Sequence, residues 1–295
     1  MFNKLADQIK HQLNQKIVSA KMLYDDFRLY DLGSYALNRL TPKKGYRLQQ
    51  NIAYGLKARQ RFDIFHTDQP RIHQPLIVFV YGGAWSHGDK KDYRFVGEAF
   101  TKEGYDVAII NYHLAPDHIF PRSIDDLTLA LNYIEQHQSR LNVSTEQLVL
   151  MGHSAGAFNI MSVLYHPQPY HLKSRSKIRA VIGLSGPYHF DYKDDPICAD
   201  AFDQKISYQQ VMPYYFVKSN HIQHYLFVAA NDQIVDLSNA QDFDRILKEN
   251  GNHSRIIQVP RTGHITILGS VSSLFSRYFK TKKQILSALE TALKL

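Results

Sequence analysis

Residues 148–156 read Leu148-Val149-Leu150-Met151-Gly152-His153-Ser154-Ala155-Gly156. Four apolar residues run into Gly-x-Ser-x-Gly, and a helical stretch, Ala155 to Tyr165, follows at once. The spacing predicts a strand that turns sharply into a helix, with glycines on both sides of the serine keeping side chains out of the crowded elbow. Such a turn lifts the Ser154 hydroxyl above the end of a sheet, beside a helix N-terminus whose free amides favour an anion. Ser154 is therefore the candidate nucleophile.

Working outward, short apolar runs alternate with longer helical stretches. Strands are predicted at Arg61–Phe65, Leu76–Tyr81, Val107–Asn111, Leu148–Met151, Ala180–Leu184, Tyr225–Ala229 and Arg255–Val259. Helices are predicted at Arg94–Glu103, Ile124–His137, Ala155–Tyr165, Asn239–Asn250 and Ser272–Lys294. Continuously apolar strands are buried on both faces, so the alternation predicts an α/β domain with a mostly parallel sheet flanked by helices. No repeat, low-complexity tract or Gly/Ser linker divides residues 1–295, which read as one domain. The aperiodic stretch 187–223, rich in Tyr, His and Asp, reads as a small cap-like excursion above the carboxyl ends of the strands.

A serine hydroxyl needs a base for its proton, and the base needs an orienting acid. After an elbow serine the chain order is Ser, then Asp or Glu, then His. The strand Tyr225–Ala229 runs into Asn231-Asp232, which makes Asp232 the acid and Asp236 the fallback; a helix-capping role for Asp232 is the alternative. The last strand runs into Gly263-His264, and His264, among 15 histidines, is the base. The third requirement is a set of fixed amides for the oxyanion, each worth on the order of 3 kcal/mol. The strand ending Val80-Tyr81-Gly82-Gly83-Ala84-Trp85 supplies a small-residue loop. The amides of Gly83, Ala84 and Ala155 are the predicted donors.

Three blocks together resemble the α/β-hydrolase esterases, in particular the hormone-sensitive-lipase-like and carboxylesterase-B-like branches, with arylformamidase-like relatives. They are Tyr81-Gly82-Gly83-Ala84-Trp85, Asn111-Tyr112-His113-Leu114-Ala115-Pro116-Asp117 with Phe120-Pro121, and Gly152-His153-Ser154-Ala155-Gly156. The resemblance implies an α/β-hydrolase fold and a serine carboxylesterase acting on small to medium acyl esters through an acyl-enzyme, with no cofactor and no metal. An amide or formamide hydrolase using the same machinery is the alternative, and a silent binding module the third reading. One departure stands out. Tyr81 occupies the position where the esterase family usually carries His before the glycines, a side chain that braces the loop rather than reacting; arylformamidase-like relatives tolerate variation there. Asp125 or Asp126 reads as the anchor of a nearby loop. Trp85, His87, Tyr188, His189 and Phe190 are candidate pocket residues.

Composition bounds the alternatives. The 295 residues carry 35 Lys+Arg against 27 Asp+Glu, a formal net charge of +8, with 44% hydrophobic and 21% charged residues. The basic residues are scattered pairs, such as Lys43-Lys44 and Lys90-Lys91, and match no nucleic-acid-binding motif, so no nucleic acid partner is predicted. A single cysteine, Cys198, excludes a disulfide framework and a multi-Cys metal site. The histidines show no metal-ligand spacing. No apolar run is long enough to span a bilayer, at roughly 20 residues. Residues 1–40 repeat apolar positions at helical spacing (Phe2, Leu5, Ile9, Leu13, Ile17), and residues 1–50 read as a helical N-terminal segment. That helix is expected to pack on the fold, with peripheral membrane contact as the alternative. It lacks a signal-peptide h-region, so a cytoplasmic location is expected.

Overall fold

A computed structural model describes residues 33, 35–167 and 171–294. Eight strands form one sheet in the order β1-β2-β4-β3-β5-β6-β7-β8. They are β1 Tyr46–Ala53, β2 Arg61–Thr67, β3 Leu76–Val80, β4 Asp106–Ile110, β5 Leu148–His153, β6 Ile178–Leu184, β7 Gln223–Ala229 and β8 His253–Val259. The β1–β2 and β2–β4 pairs are antiparallel and the remaining pairs are parallel. Every residue of β3, β4 and β5 is buried, as continuous Val/Ile/Leu runs require when helices cover both faces. The helices are α1 Arg94–Thr101, α2 Arg122–Leu141, α3 Ala155–Tyr165, α4 Leu237–Glu249, the single turn α5 Thr266–Gly269 and α6 Thr281–Leu293. Helix α3, buried along its whole length, packs on β5, β3 and β6, with α2 beside it.

The expected fold class, a mostly parallel sheet flanked by helices, is the observed one. Because β3, β5, β6, β7 and β8 run parallel, their carboxyl ends open at one edge of the sheet. The loops beginning at Tyr81, Ser154, Ser185, Ala230 and Pro260 all leave from that edge, which is where open α/β sheets build their sites.

Two local expectations differ. The segment read as helical through residue 50 contains the start of β1, an edge strand whose polar Arg47, Gln49 and Gln50 obscure its alternation. Its register shifts between Gln49 and Ile52, where Asn51 takes a positive φ of 57° and its amide donates to Asp63 Oδ1 at 2.7 Å. Residues 35–40 are helical, and the rest of the predicted 1–40 helix lies outside the described residues, Gly33 apart. The single helix expected over Ser272–Lys294 begins only at Thr281. Serines interrupt it. Ser272 Oγ accepts from the Leu274 amide, and Ser270 and Thr281 bond to each other at 2.6 Å, giving the backbone an alternative to the helical ladder.

The excursion 187–223 has no helix longer than a 3-10 turn, at Ala199–Ala201, Tyr208–Gln210 and Pro213–Phe216. It is held down by its own apolar cluster, in which Tyr192, Cys198, Phe202, Val211 and Met212 pack with Trp85, Ala155 and Phe158 of the sheet edge. Aromatic packing substitutes here for regular hydrogen bonding. Phe202 stacks on Tyr192 at 4.6 Å and meets Trp85 edge-on at 4.8 Å.

Candidate active site

The β5–α3 turn is as tight as its sequence predicts. Ser154 sits at φ 52°, ψ −123°, outside the regions a non-glycine residue ordinarily occupies. A Cβ on Gly156 would lie 2.5 Å from the Tyr81 carbonyl oxygen and closer still to that of Val80; one on Gly152 would meet the Gly156 carbonyl. Only hydrogen fits at either position, so β3 and the elbow approach backbone to backbone. Ser154 is anchored by its amide, which donates to the Leu184 carbonyl at 2.9 Å.

Three side chains meet in front of that turn. His264 Nε2 lies 2.9 Å from Ser154 Oγ, and His264 Nδ1 lies 3.0 Å from Asp232 Oδ2 and 3.1 Å from Oδ1. The imidazole and the carboxylate are each 8% exposed. With Nδ1–H donating to Asp232, Nε2 is free to accept the serine proton. Burial pushes the Asp232 carboxyl up, but the hydrogen bond and charge of His264 and the amides of Val235 and Ile234 outweigh it, holding the group down to about 2. Asp232 therefore stays ionised beside the imidazole. Asp236, the fallback, does not reach His264; it caps α4 by accepting from the Ser238 amide at 2.8 Å.

His153 joins this group without having been singled out in the sequence. Its Nε2–H donates to the backbone carbonyl of His264 at 2.8 Å, and the two rings are 5.0 Å apart. Complete burial, with the neighbouring His264, lowers its pKa to about 3, so it is a neutral donor at ordinary pH. The variable position inside Gly-x-Ser-x-Gly carries no signal of this bond, which depends on β5 and the loop after β8 meeting across the sheet edge.

The loop after β3 faces the same space. Gly83 has φ 115°, and Ala84 and Trp85 take φ 48° and 59°. Such a turn points successive amides to one side, and it is closed by the Ser86 and His87 amides donating to the Gly83 carbonyl at 3.0 and 2.9 Å. Trp85 is tied down from both ends: its carbonyl accepts from the Ala115 amide at 2.9 Å and its indole Nε1–H donates to Asn159 Oδ1 at 3.0 Å. The amide of Ala155 opens α3 and, as the first of the helix, has no acceptor within it.

Tyr81 braces this loop from below. Its ring is sandwiched between Tyr93 and Tyr112, at 5.0 and 4.9 Å. Its hydroxyl accepts from Arg59 Nη2 at 2.8 Å and donates to Asn111 Oδ1 at 2.9 Å. The same guanidinium also donates to the Gly88 and Tyr112 carbonyls. Of the paired acids, Asp126 is the buried anchor, accepting from the His113 amide at 2.7 Å, His113 Nδ1 at 2.5 Å and Gln60 at 3.0 Å.

A cavity of about 290 Å³ opens on Ser154. Trp85 and Phe190 line it, as do Gly83, Ala84, His153 and His264. The other three pocket candidates lie elsewhere. Tyr188 is 1% exposed and stacks on Phe243 in the core. His189 bonds to Asp242 Oδ2 at 2.7 Å and stacks on Tyr214 at the outer face of the excursion. His87 is exposed, with Ser86 Oγ 2.8 Å from its Nδ1. Asp191, Asp195, Ile197 and Cys198 of the excursion and Ile234, Val235 and Asp236 after β7 complete much of the wall. The Asp-rich composition of 187–223 was the available signal for the first group. The second follows Asp232 directly in sequence. Burial and the adjacent Asp195 raise the Cys198 thiol far above its ordinary range, so it is no competing nucleophile. Among the described residues no group of three or more His, Cys, Asp or Glu side chains could hold a metal ion, and no helix is long and apolar enough to cross a membrane.

A mostly parallel sheet with a strained serine elbow at the carboxyl end of a central strand defines an α/β-hydrolase fold. Within that class the chain belongs to the BD-FAE family, whose profile matches residues 62–247. It is 31% identical over 149 residues to the kynurenine formamidase of Drosophila melanogaster, covering 50% of this chain and 48% of that one. It is 28% identical over 149 residues to the isoprenylcysteine alpha-carbonyl methylesterase of Arabidopsis thaliana, covering 48% of this chain and 35% of that one. The chain thus spans about half or less of the length of these curated relatives. Esterase B from Lactobacillus rhamnosus, with a bound tributyrin phosphonate, superposes with a TM-score of 0.76 at 16% identity, covering 95% of this chain and 96% of that one.

Proposed function

We propose that this protein is a serine hydrolase that cleaves carboxylic esters of small to medium acyl groups through an acyl-enzyme. The observation that carries the reading is the continuous hydrogen-bonded chain Ser154–His264–Asp232 at the mouth of a cavity. In this reading His264 Nε2 takes the Ser154 proton as Oγ attacks the carbonyl, and the imidazolium is stabilised by ionised Asp232. The amides of Gly83, Ala84 and Ala155 receive the oxyanion. His264 then hands its proton to the departing alcohol, and water repeats the sequence on the acyl-enzyme. Trp85 and Phe190 supply apolar walls for the substrate.

Amide or formamide hydrolysis is the second reading, favoured by the likeness to a kynurenine formamidase. The machinery is shared, and only the leaving group differs. A silent binding module is disfavoured because all three side chains are present and in hydrogen-bond contact.

The test is hydrolysis of p-nitrophenyl acetate and butyrate, alongside an N-formyl arylamine, by wild type, Ser154→Ala and Asp232→Asn. Ester turnover should be abolished in Ser154→Ala and reduced by roughly 10⁴ in kcat for Asp232→Asn, the loss expected when the imidazole loses its orienting carboxylate. Equal turnover by wild type and Ser154→Ala, or none by either, refutes the esterase reading; formamide turnover exceeding that of esters replaces it with the second.

A further inference from the structure

A second cavity, about 710 Å³, lies directly against the first. Its floor and sides are mostly hydrocarbon. Ala36, Leu37 and Leu40 come from the helical residues 35–40, Phe95 from α1, and Gly269, Phe275 and Phe279 from the segment following β8. Among the described residues, the polar side chains on its wall are the neutral Asn231, Gln233, Thr266 and Ser270, together with His264. The two cavities share three residues: Ile234, His264 and Ile265. Both cavities are therefore lined by His264, the residue assigned to proton transfer, and by the same two isoleucines.

That shared lining gives the second cavity a direction relative to the reaction. The tetrahedral carbon is bonded to Ser154 Oγ, its oxyanion points to the Gly83 and Ala84 side, and the leaving oxygen must lie where His264 can protonate it. Gly83 and Ala84 line only the smaller cavity. His264 lines both. A group departing toward His264 is thus carried to the shared wall, whereas the acyl part stays with Trp85, Phe190 and the excursion. The sizes follow the same division, with the larger and more apolar volume on the leaving-group side.

Resting on the serine-hydrolase reading, we propose that the trough walled by Leu37, Leu40, Phe95, Ile265, Phe275 and Phe279 binds the hydrocarbon of the leaving group. The substrate class is then a short acyl group on a long or bulky apolar alcohol or amine. No bond beyond those of ordinary acyl transfer is involved. The bond from the acyl carbon to the leaving oxygen or nitrogen breaks, its electron pair goes to that leaving atom, and the His264 proton neutralises it.

The chemistry predicts an asymmetric chain-length profile. Burying one methylene is worth about 0.8 kcal/mol, so kcat/KM should rise by nearly fourfold per methylene from ethyl to hexyl acetate. Lengthening the acyl side, from ethyl acetate to ethyl octanoate, should give a smaller rise per methylene, because the cavity of about 290 Å³ is the smaller of the two and carries Asp191, Asp195 and Asp236 on its wall. Both series are followed by pH-stat on the full chain. In Leu37→Trp, which fills the trough, the ratio of kcat/KM for hexyl over ethyl acetate should fall at least tenfold. Leu40→Glu, at a rim position 66% exposed and therefore tolerant of substitution, should lower the same ratio severalfold even if Leu37→Trp folds poorly. A flat alcohol series, a rise confined to the acyl series, or an unchanged ratio in both variants overturns the proposal. Ser154→Ala separates the two levels. Turnover that survives it refutes the nucleophile itself, whereas turnover lost with it, together with a flat alcohol series, refutes the trough alone.

Discussion

The ring of His153 holds the backbone of His264, Nε2–H to carbonyl oxygen, at 2.8 Å. The residue immediately before the elbow serine thus holds the loop bearing His264, 111 positions away in sequence. Main-chain placement of His264 then needs no help from the substrate. Replacing His153 by Phe removes the donor and leaves the carbonyl without that partner; a hydrogen bond of this kind is worth about 1 kcal/mol. Steady-state kinetics should show kcat lowered roughly three- to tenfold with KM little changed. A change confined to KM would mean that His153 acts on the substrate instead.

Gly156 and the carbonyls of Val80 and Tyr81 form the closest backbone approach at the site. Gly156→Ala would force β3 away from the elbow. Overpacking of a rigid site costs about 1–3 kcal/mol, and urea titration should detect at least that loss. Because Tyr81 begins the Gly82-Gly83 loop, activity should fall further than stability alone explains. Unaltered stability would show that the elbow is slack.

Three buried histidines make the fold acid-sensitive well above the carboxylate range. Burial lowers His153 to about 3 and both His66 and His224 to about 4, from 6.5. His224 donates from Nδ1 to the His253 carbonyl and accepts from the Tyr165 hydroxyl at Nε2, a pairing that protonation would break. Below 6.5 the unfolded chain takes up these protons and the folded one does not. The stability of the neutral forms is therefore fully present above pH 6.5 and lost as pH falls toward 4 and then 3. Denaturant midpoints should decline steadily from pH 7 to pH 4.5, with a shallower slope in His224→Gln, since each such group contributes about 1.4 kcal/mol per pH unit at most. Identical slopes would exclude His224 as a source.

The protein carries +8 overall, yet its smaller cavity is lined by Asp191, Asp195 and Asp236 and, among the described residues, by no Lys or Arg. Asp191 accepts from the Lys193 amide at 3.0 Å, and Asp195 accepts from the Ile197 amide at 2.8 Å and from the Cys198 thiol. An acyl group bearing a carboxylate meets like charge there. A hemisuccinate ester should therefore be cleaved about tenfold more slowly than the butyrate ester at low salt, the gap narrowing as salt screens exposed charges over about 10 Å at 0.1 M. Equal rates for the two esters would show that the carboxylates do not face the acyl group.

The sheet and its candidate site were legible to different depths. Apolar runs such as Leu76–Val80 and Leu148–Met151 announce buried strands because burial on both faces admits nothing else, and Gly152 and Gly156 announce the elbow because only hydrogen fits there. Ser154, Asp232 and His264 follow from their places after strands in chain order. By itself the sequence thus determined an α/β sheet and three residues at the ends of its strands. Tertiary structure alone decided that His153 grips the His264 backbone, that Tyr188 belongs to the core rather than the cavity, and that His264 lines two cavities. Those relations join residues far apart in the chain, and a linear pattern records periodicity and local turn chemistry but not which loops the closed sheet brings face to face.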